Sequence, residues 1–247
     1  MLNILQISKK LTPIILLSHM RANTSLFGHI LGSNPEINGY YEMHIGYYSW
    51  KSFIRQKLKY LEHHKFKPNS TYIFDKILHN EHYINCELLN NNAKTIFSLR
   101  EPSETIPSII RLFKKVNPSH EFASQSGAID YYKERLIQLE QYSELLKNNY
   151  IYLDANSLKN NTSATFNFIE KNLNLKSPLS REYKIQEMTG RLKSGDNSDY
   201  LKQGVLIEQT KKKQSMINTE DSELVELHNL YLTVKAKIIQ NSQDYLL

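Results

Sequence analysis

Residues 13–42 read PIILLSHMRANTSLFGHILGSNPEINGYYE, and this stretch decides the fold. Pro13 to Leu17 is a short apolar run, the pattern of a buried strand. It breaks at Ser18-His19-Met20-Arg21-Ala22-Asn23, a polar turn, and Thr24 to Leu31 then carries the pattern of a helix. Strand, tight turn and helix together aim backbone N–H groups and a helix N-terminus at one anion. Arg21 adds a fixed positive charge, and Thr24 and Ser25 add hydroxyl donors. The predicted occupant is a phosphate or sulfate. The phosphate loop of nucleotide triphosphatases, GxxxxGK[ST], is absent, which argues against kinase or ATPase chemistry.

A chain of 247 residues suffices for one α/β domain with a full core. The net charge of +6 is carried by scattered lysines, with one tight run at Lys211-Lys212-Lys213. That distribution suits a solvated surface and an anionic small molecule, and no nucleic-acid partner is expected. Cys86 is the single cysteine, so a disulfide framework and a cysteine metal site are both excluded. The apolar run near the N-terminus is too short for a membrane span. Were it a signal peptide, cleavage after it would remove or expose the anion loop, and a glycan on the sequon Asn23-Thr24-Ser25 would block that loop. The expected setting is therefore soluble, reducing and cytoplasmic.

Further along, Ile37 to Glu42 reads as a second strand. Tyr47 to His64 reads as a helix with Trp50, Ile54, Leu58 and Leu61 on its packing face. Thr71 to Phe74 is β-prone and leads into Asp75-Lys76-Ile77-Leu78-His79-Asn80. Lys94 to Leu99 is a strand running into Arg100-Glu101-Pro102-Ser103-Glu104-Thr105-Ile106-Pro107-Ser108, with Pro107 expected in or near the first helical turn. Residues 116 to 124 form a polar loop. Ala128 to Lys147 is an amphipathic helix whose reading is core packing alone. Tyr150 to Leu153 is a strand, followed by a helix to Leu173. Periodicity fails from Lys176 to Gly204, and a polar segment about 176–215 is expected to be mobile. Thr219 is expected to start a terminal helix to about residue 241, packed through Leu224, Leu227, Tyr231, Val234 and Ile238. That stripe packs on the domain or on a second protomer, so a homodimer stays open.

These motifs resemble those of the sulfotransferases that use 3′-phosphoadenosine 5′-phosphosulfate (PAPS). The family loop, P-R-S-G-T-T-L, corresponds to Met20-Arg21-Ala22-Asn23-Thr24-Ser25-Leu26. Arg21, Thr24 and Leu26 match, Ser25 is conservative, and Asn23 stands where the family has glycine. Tyrosylprotein sulfotransferases have a glutamate at the same interval from the loop arginine as Glu42. The D-K-T-P-x-N motif is matched by Asp75, Lys76 and Asn80, with Ile77-Leu78 replacing Thr-Pro. The 3′-phosphate signature, R-D-P followed by serine, is matched by Arg100 and Ser108, with Glu101 for aspartate. An arginine at a strand end and a serine one to two helical turns later converge on one phosphate, and Arg111 or Lys114 adds charge there.

The resemblance implies a P-loop-type three-layer α/β sandwich with a mostly parallel sheet, forming a single domain over residues 1–247. It implies sulfuryl transfer from PAPS to a hydroxyl or amine of a carbohydrate or small metabolite, leaving 3′-phosphoadenosine 5′-phosphate (PAP), with no metal. It implies a soluble bacterial member with no membrane span. Residues 20–26 would hold the 5′-phosphosulfate (Arg21, Ala22, Asn23, Thr24, Ser25 and Leu26). Arg100 and Ser108 would hold the 3′-phosphate, with Arg191 and Lys193 from the late basic segment Gly190 to Ser198. Lys76, with Arg21, would act at the sulfonate, and Glu42 would be the general base, with His44 and His19 as rivals. Two other readings stay open: a kinase-like phosphotransferase, and a non-catalytic nucleotide-binding module.

Overall fold

A computed structural model describes residues 7–189, 201–208 and 221–247. Six strands form one sheet: β1 (Thr12–Leu17), β2 (Ile37–Asn38), β3 (Tyr72–Ile77), β4 (Lys94–Leu99), β5 (Tyr150–Asp154) and β6 (Asp244–Leu246). Their order is β2-β3-β1-β4-β5-β6, and every pairing is parallel. The described helices are α1 (Thr24–Ser33), α2 (Trp50–Leu61), α3 (Cys86–Asn92), α4 (Pro102–Val116), α5 (Gln125–Leu145), α6 (Ser157–Asn160), α7 (Thr162–Leu173) and α8 (Ser222–Asn241).

Alternation along the strands divides the core in two. Ile14, Leu16, Phe74, Ile96, Ile151 and Leu153 face α1, α6 and α7. Ile15, Leu17, Ile73, Ile77, Phe97, Leu99, Tyr150 and Tyr152 face the other layer, where α4, α5 and α8 pack together. The result is a three-layer α/β sandwich. After β1 the chain goes to one side for β2 and β3, then to the other for β4 to β6. Order reverses at β1, so a crevice opens at its C-terminal end, where open parallel sheets bind ligands.

Several local expectations are corrected. β2 stops at Asn38 because Gly39 turns the chain with φ 82°, and a Cβ there would lie 2.4 Å from the Phe74 carbonyl. Glu42 therefore arrives on a loop rather than a strand. β3 runs on to Ile77, which places Asp75 and Lys76 inside the strand on opposite faces. In α2 the buried residues are Ser52, Gln56 and Tyr60, while Trp50 is exposed. Tyr60 stacks on Phe66, and Gln56 donates to the Ile73 carbonyl, so local pairing outranks the apolar stripe. α4 starts at Pro102, which leaves Pro107 in the helix interior. The terminal helix is capped by Asp221, whose carboxylate accepts from Glu223 and Leu224 N–H; Thr219 lies outside the described residues. Of its expected stripe, Leu227, Tyr231, Val234 and Ile238 are buried, and Leu224 at its first turn is partly buried. No described helix is long and apolar enough to cross a membrane.

Part of the aperiodic segment lies against α1, where Lys184 N–H donates to Ser33 Oγ, and against the chain that follows it. Asn34 Nδ2 donates to the Ser177 carbonyl, Glu36 Oε1 accepts from Lys176 and Ser177 N–H, and Met188 N–H donates to the Tyr40 hydroxyl. Arg191, Lys193 and Lys211 to Lys213 lie outside the described residues.

Candidate active site

The loop expected to bind an anion follows β1, at the point where strand order reverses. Arg21 and Asn23 both hold left-handed backbone, φ 65° and 56°. Asparagine enters that region more readily than other non-glycine residues. Here its amide also donates to the Ala155 carbonyl at 2.9 Å, which ties the loop to the end of β5. The glycine-to-asparagine departure thus keeps the turn and adds a tether. The N–H groups of the first turn of α1 lack intrahelical acceptors, and no acidic residue occupies that turn. A strand end, a left-handed turn and an unopposed helix N-terminus suit an anion.

The loop is held from the opposite layer by one face of α5. Arg135 is 1% exposed and donates from Nε to the Ser18 carbonyl (2.8 Å), from Nη2 to the Ile77 carbonyl (2.6 Å) and from Nη1 to Asn80 Oδ1 (2.9 Å). Tyr131 accepts from Met20 N–H and donates to the Leu78 carbonyl, and Tyr132 donates to the Arg100 carbonyl. One helix face therefore grips the ends of β1, β3 and β4. Reading α5 as core packing alone missed this.

His19 completes the clamp. It is fully buried; Nδ1 faces the Met20 carbonyl and Nε2 accepts from Arg100 N–H at 3.0 Å. Burial pushes its pKa down to about 3, and the Arg135 and Arg100 charges push the same way. A neutral imidazole with both nitrogens engaged is a tether between loop and strand end, which removes it as a rival base. Because the folded pKa lies below the ordinary value near 6.5, this stabilisation is present above pH 6.5 and is lost as pH falls toward 3. Wild-type unfolding free energy should drop over that window with a contribution approaching about 1.4 kcal/mol per pH unit. Denaturant titrations at pH 7, 6, 5 and 4 should show a shallower slope for His19→Gln; parallel slopes would disprove the assignment.

The second corner, β4 to α4, abuts the first. Arg100 Nη1 donates to the Arg21 carbonyl at 3.0 Å, and Arg21 Nε donates to Ser108 Oγ at 3.0 Å. Arg100 also pairs with Glu104 at 3.0 Å and approaches Asn156 Oδ1 at 3.3 Å. Ser108 Oγ thus accepts from Arg21 and keeps its own O–H to donate, and Glu104, overlooked in the sequence, orients the Arg100 guanidinium.

A third group comes from β3 and the loop after β2. Lys76 is 1% exposed and points to the α1 side of the sheet, where Nζ lies 3.0 Å from Ser25 Oγ. Asp75 points to the other side. Its Oδ1 accepts from Met43 and Lys76 N–H, and its Oδ2 from the Tyr47 hydroxyl. Burial pushes this carboxyl up to about 7, against those donors and with the nearby Glu42 charge. Asp75 thus fixes the chain next to Glu42 and the chain at Lys76 through a single carboxylate. Glu42 is 7% exposed, and its Oε1 has no hydrogen-bond partner among the described residues. His44, exposed and left-handed at φ 52°, places Nδ1 3.8 Å from that oxygen.

Among solved structures, the chain is similar to a sulfotransferase domain from the curacin biosynthetic pathway. The TM-score is 0.63 at 14% identity, covering 91% of this chain and 98% of that one. The fold is that of the sulfotransferases. A sulfotransferase domain from the Synechococcus PCC 7002 olefin synthase gives a TM-score of 0.57 at 15% identity, covering 91% and 96%. Mouse sulfotransferase SULT7A1 complexed with PAP gives 0.49 at 12%, covering 96% and 87%. Comparison with protein-family models and with curated proteins gives no match. On the sulfotransferase fold, the three groups of residues described above all gather at the C-terminal ends of β1, β3 and β4.

Proposed function

We propose that the protein is a PAPS-dependent sulfotransferase acting on a hydroxyl or amine of a carbohydrate or small metabolite. The observation that carries this reading is the junction of the two strand-end corners, where Arg100 Nη1 donates to the Arg21 carbonyl. Two cationic corners in contact suit one molecule with an anion at each end. The fit to PAPS rests on the donor set: a helix N-terminus without acidic residues, with Arg21 and Lys76 beside it and Arg100 at the second corner.

In this reading residues Arg21 to Leu26 hold the 5′-phosphosulfate through loop N–H groups and the Thr24 and Ser25 hydroxyls. Arg100 and Ser108 hold the 3′-phosphate. Bound there, the cosubstrate supplies an activated sulfuryl group on a phosphate leaving group. Lys76 offsets negative charge developing on the sulfonate and the bridging oxygen, as preorganised cations do. Glu42 Oε1 accepts the proton of the acceptor hydroxyl or amine as its oxygen or nitrogen bonds to sulfur. Positioning accounts for much of the remaining acceleration.

The test is transfer of labelled sulfate from PAPS to a panel of glycans, phenols and amines. Labelled product is the expected result. PAP binding without transfer to any acceptor class would favour a non-catalytic module.

A further inference from the structure

Beside the residues assigned to the cosubstrate, three further side chains converge. Glu42, His44 and His82 each offer one ligand atom, and these atoms lie within 4.8 Å of one another. Two of them are buried and orphaned: Glu42 Oε1 and His82 Nε2 have no hydrogen-bond partner among the described residues. Glu42 is 7% exposed, so the unpartnered oxygen is a nine-tenths buried carboxylate aimed into the cluster. A buried polar atom without a partner costs about 1–3 kcal/mol, more when charged, so the cluster is poised to take a ligand.

We propose that Glu42, His44 and His82 form a binding site for a borderline divalent cation of the Zn²⁺ class, and that its occupation blocks the proposed transfer reaction. Two imidazoles and one carboxylate are a donor set that Zn²⁺ accepts, leaving a fourth position open to water. Metal–ligand bonds of about 2.0–2.1 Å in a tetrahedron put donors about 3.4 Å apart. The Nδ1 to Oε1 separation of 3.8 Å is already close to that, and the other pairs lie within 4.8 Å, a gap that side-chain rotation would close on binding. His44 stands at the solvent side, 37% exposed, and provides the entry. Glu81, 3.6 Å from His82 Nε2 but exposed, can swing to or from the site. Nitrogen donors disfavour Mg²⁺, which prefers all-oxygen shells. The block follows because the metal takes the oxygen assigned as general base; this half rests on the sulfotransferase reading, whereas metal binding does not.

The experiment is calorimetric titration of the full chain with ZnCl₂ and, separately, MgCl₂, without cosubstrate, followed by transfer assays in graded zinc. Expected is one zinc per chain, no magnesium binding, and at least about 100-fold weaker zinc affinity in His82→Ala, since even outer partners of metal ligands cost roughly 10–100-fold. Transfer by wild type should fall at zinc concentrations that His82→Ala tolerates. Circular dichroism, with His82→Gln as a second variant, separates lost ligation from lost folding. Equal zinc affinity in wild type and both folded variants, or no zinc binding at all, overturns the site. Zinc binding lost in the variants while wild-type transfer continues at saturating zinc keeps the site and overturns the block.

Discussion

Arg135→Ala should lower the free energy of unfolding by about 3–5 kcal/mol and weaken PAP binding. The buried guanidinium donates to the Ser18 and Ile77 carbonyls and to Asn80 Oδ1. Each buried acceptor left without a donor costs about 1–3 kcal/mol, and the cavity adds to this. Removing a buried cation also relieves its desolvation, which offsets part of the loss. Arg135→Met fills most of the volume without donors and isolates the hydrogen-bond contribution. It should still be destabilised, by about 2 kcal/mol or more, with a looser grip on PAP. Denaturant unfolding and PAP calorimetry measure both effects. An Arg135→Met protein as stable as wild type, with unchanged affinity, would show that α5 does not hold the strand ends through this side chain.

Glu42→Gln should reduce turnover in the transfer assay by about 10²–10⁴-fold, the span typical of a lost general base, while PAP affinity stays within a factor of two or so. The substitution keeps shape and removes the basic oxygen. Asp75→Asn should also lower turnover, through position, because Asp75 ties Met43 and Lys76 together. Glu42→Gln retaining wild-type turnover would transfer the base role to His44, 3.8 Å away. A parallel loss of PAP affinity would point to a fold defect instead.

The strand, turn and helix around Arg21 and the strand-to-helix corner after β4 were legible because local chemistry dictates them. A continuous apolar run ending in a polar turn makes β1, and KTIFSL makes β4 from Lys94 to Leu99, as read. β6 was not legible: three residues, Asp244–Leu246, carry no pattern, and their pairing with β5 is purely tertiary. The α2 stripe failed because period alone does not say which face meets a neighbour. Arg135 did leave a signal. It falls in the buried series Ala128, Tyr132, Arg135, Leu139, and a charge in such a series must have buried acceptors to justify it. The Glu42–His44–His82 cluster was invisible for a different reason. His82 is brought in by the pairing of Tyr47 with Ile84, which no sequence spacing encodes.

The most direct measurement is calorimetric titration of the wild-type chain with PAP and, separately, with ATP–Mg²⁺, repeated for Arg21→Ala and Arg100→Ala. A single magnesium-independent PAP site should appear, with ATP–Mg²⁺ much weaker. Each arginine variant should lose about 10–100-fold in affinity, the value of a charge-assisted contact to phosphate. Tighter binding of ATP–Mg²⁺ than of PAP, or unchanged PAP affinity in either variant, would contradict a nucleotide gripped at both ends by these two corners.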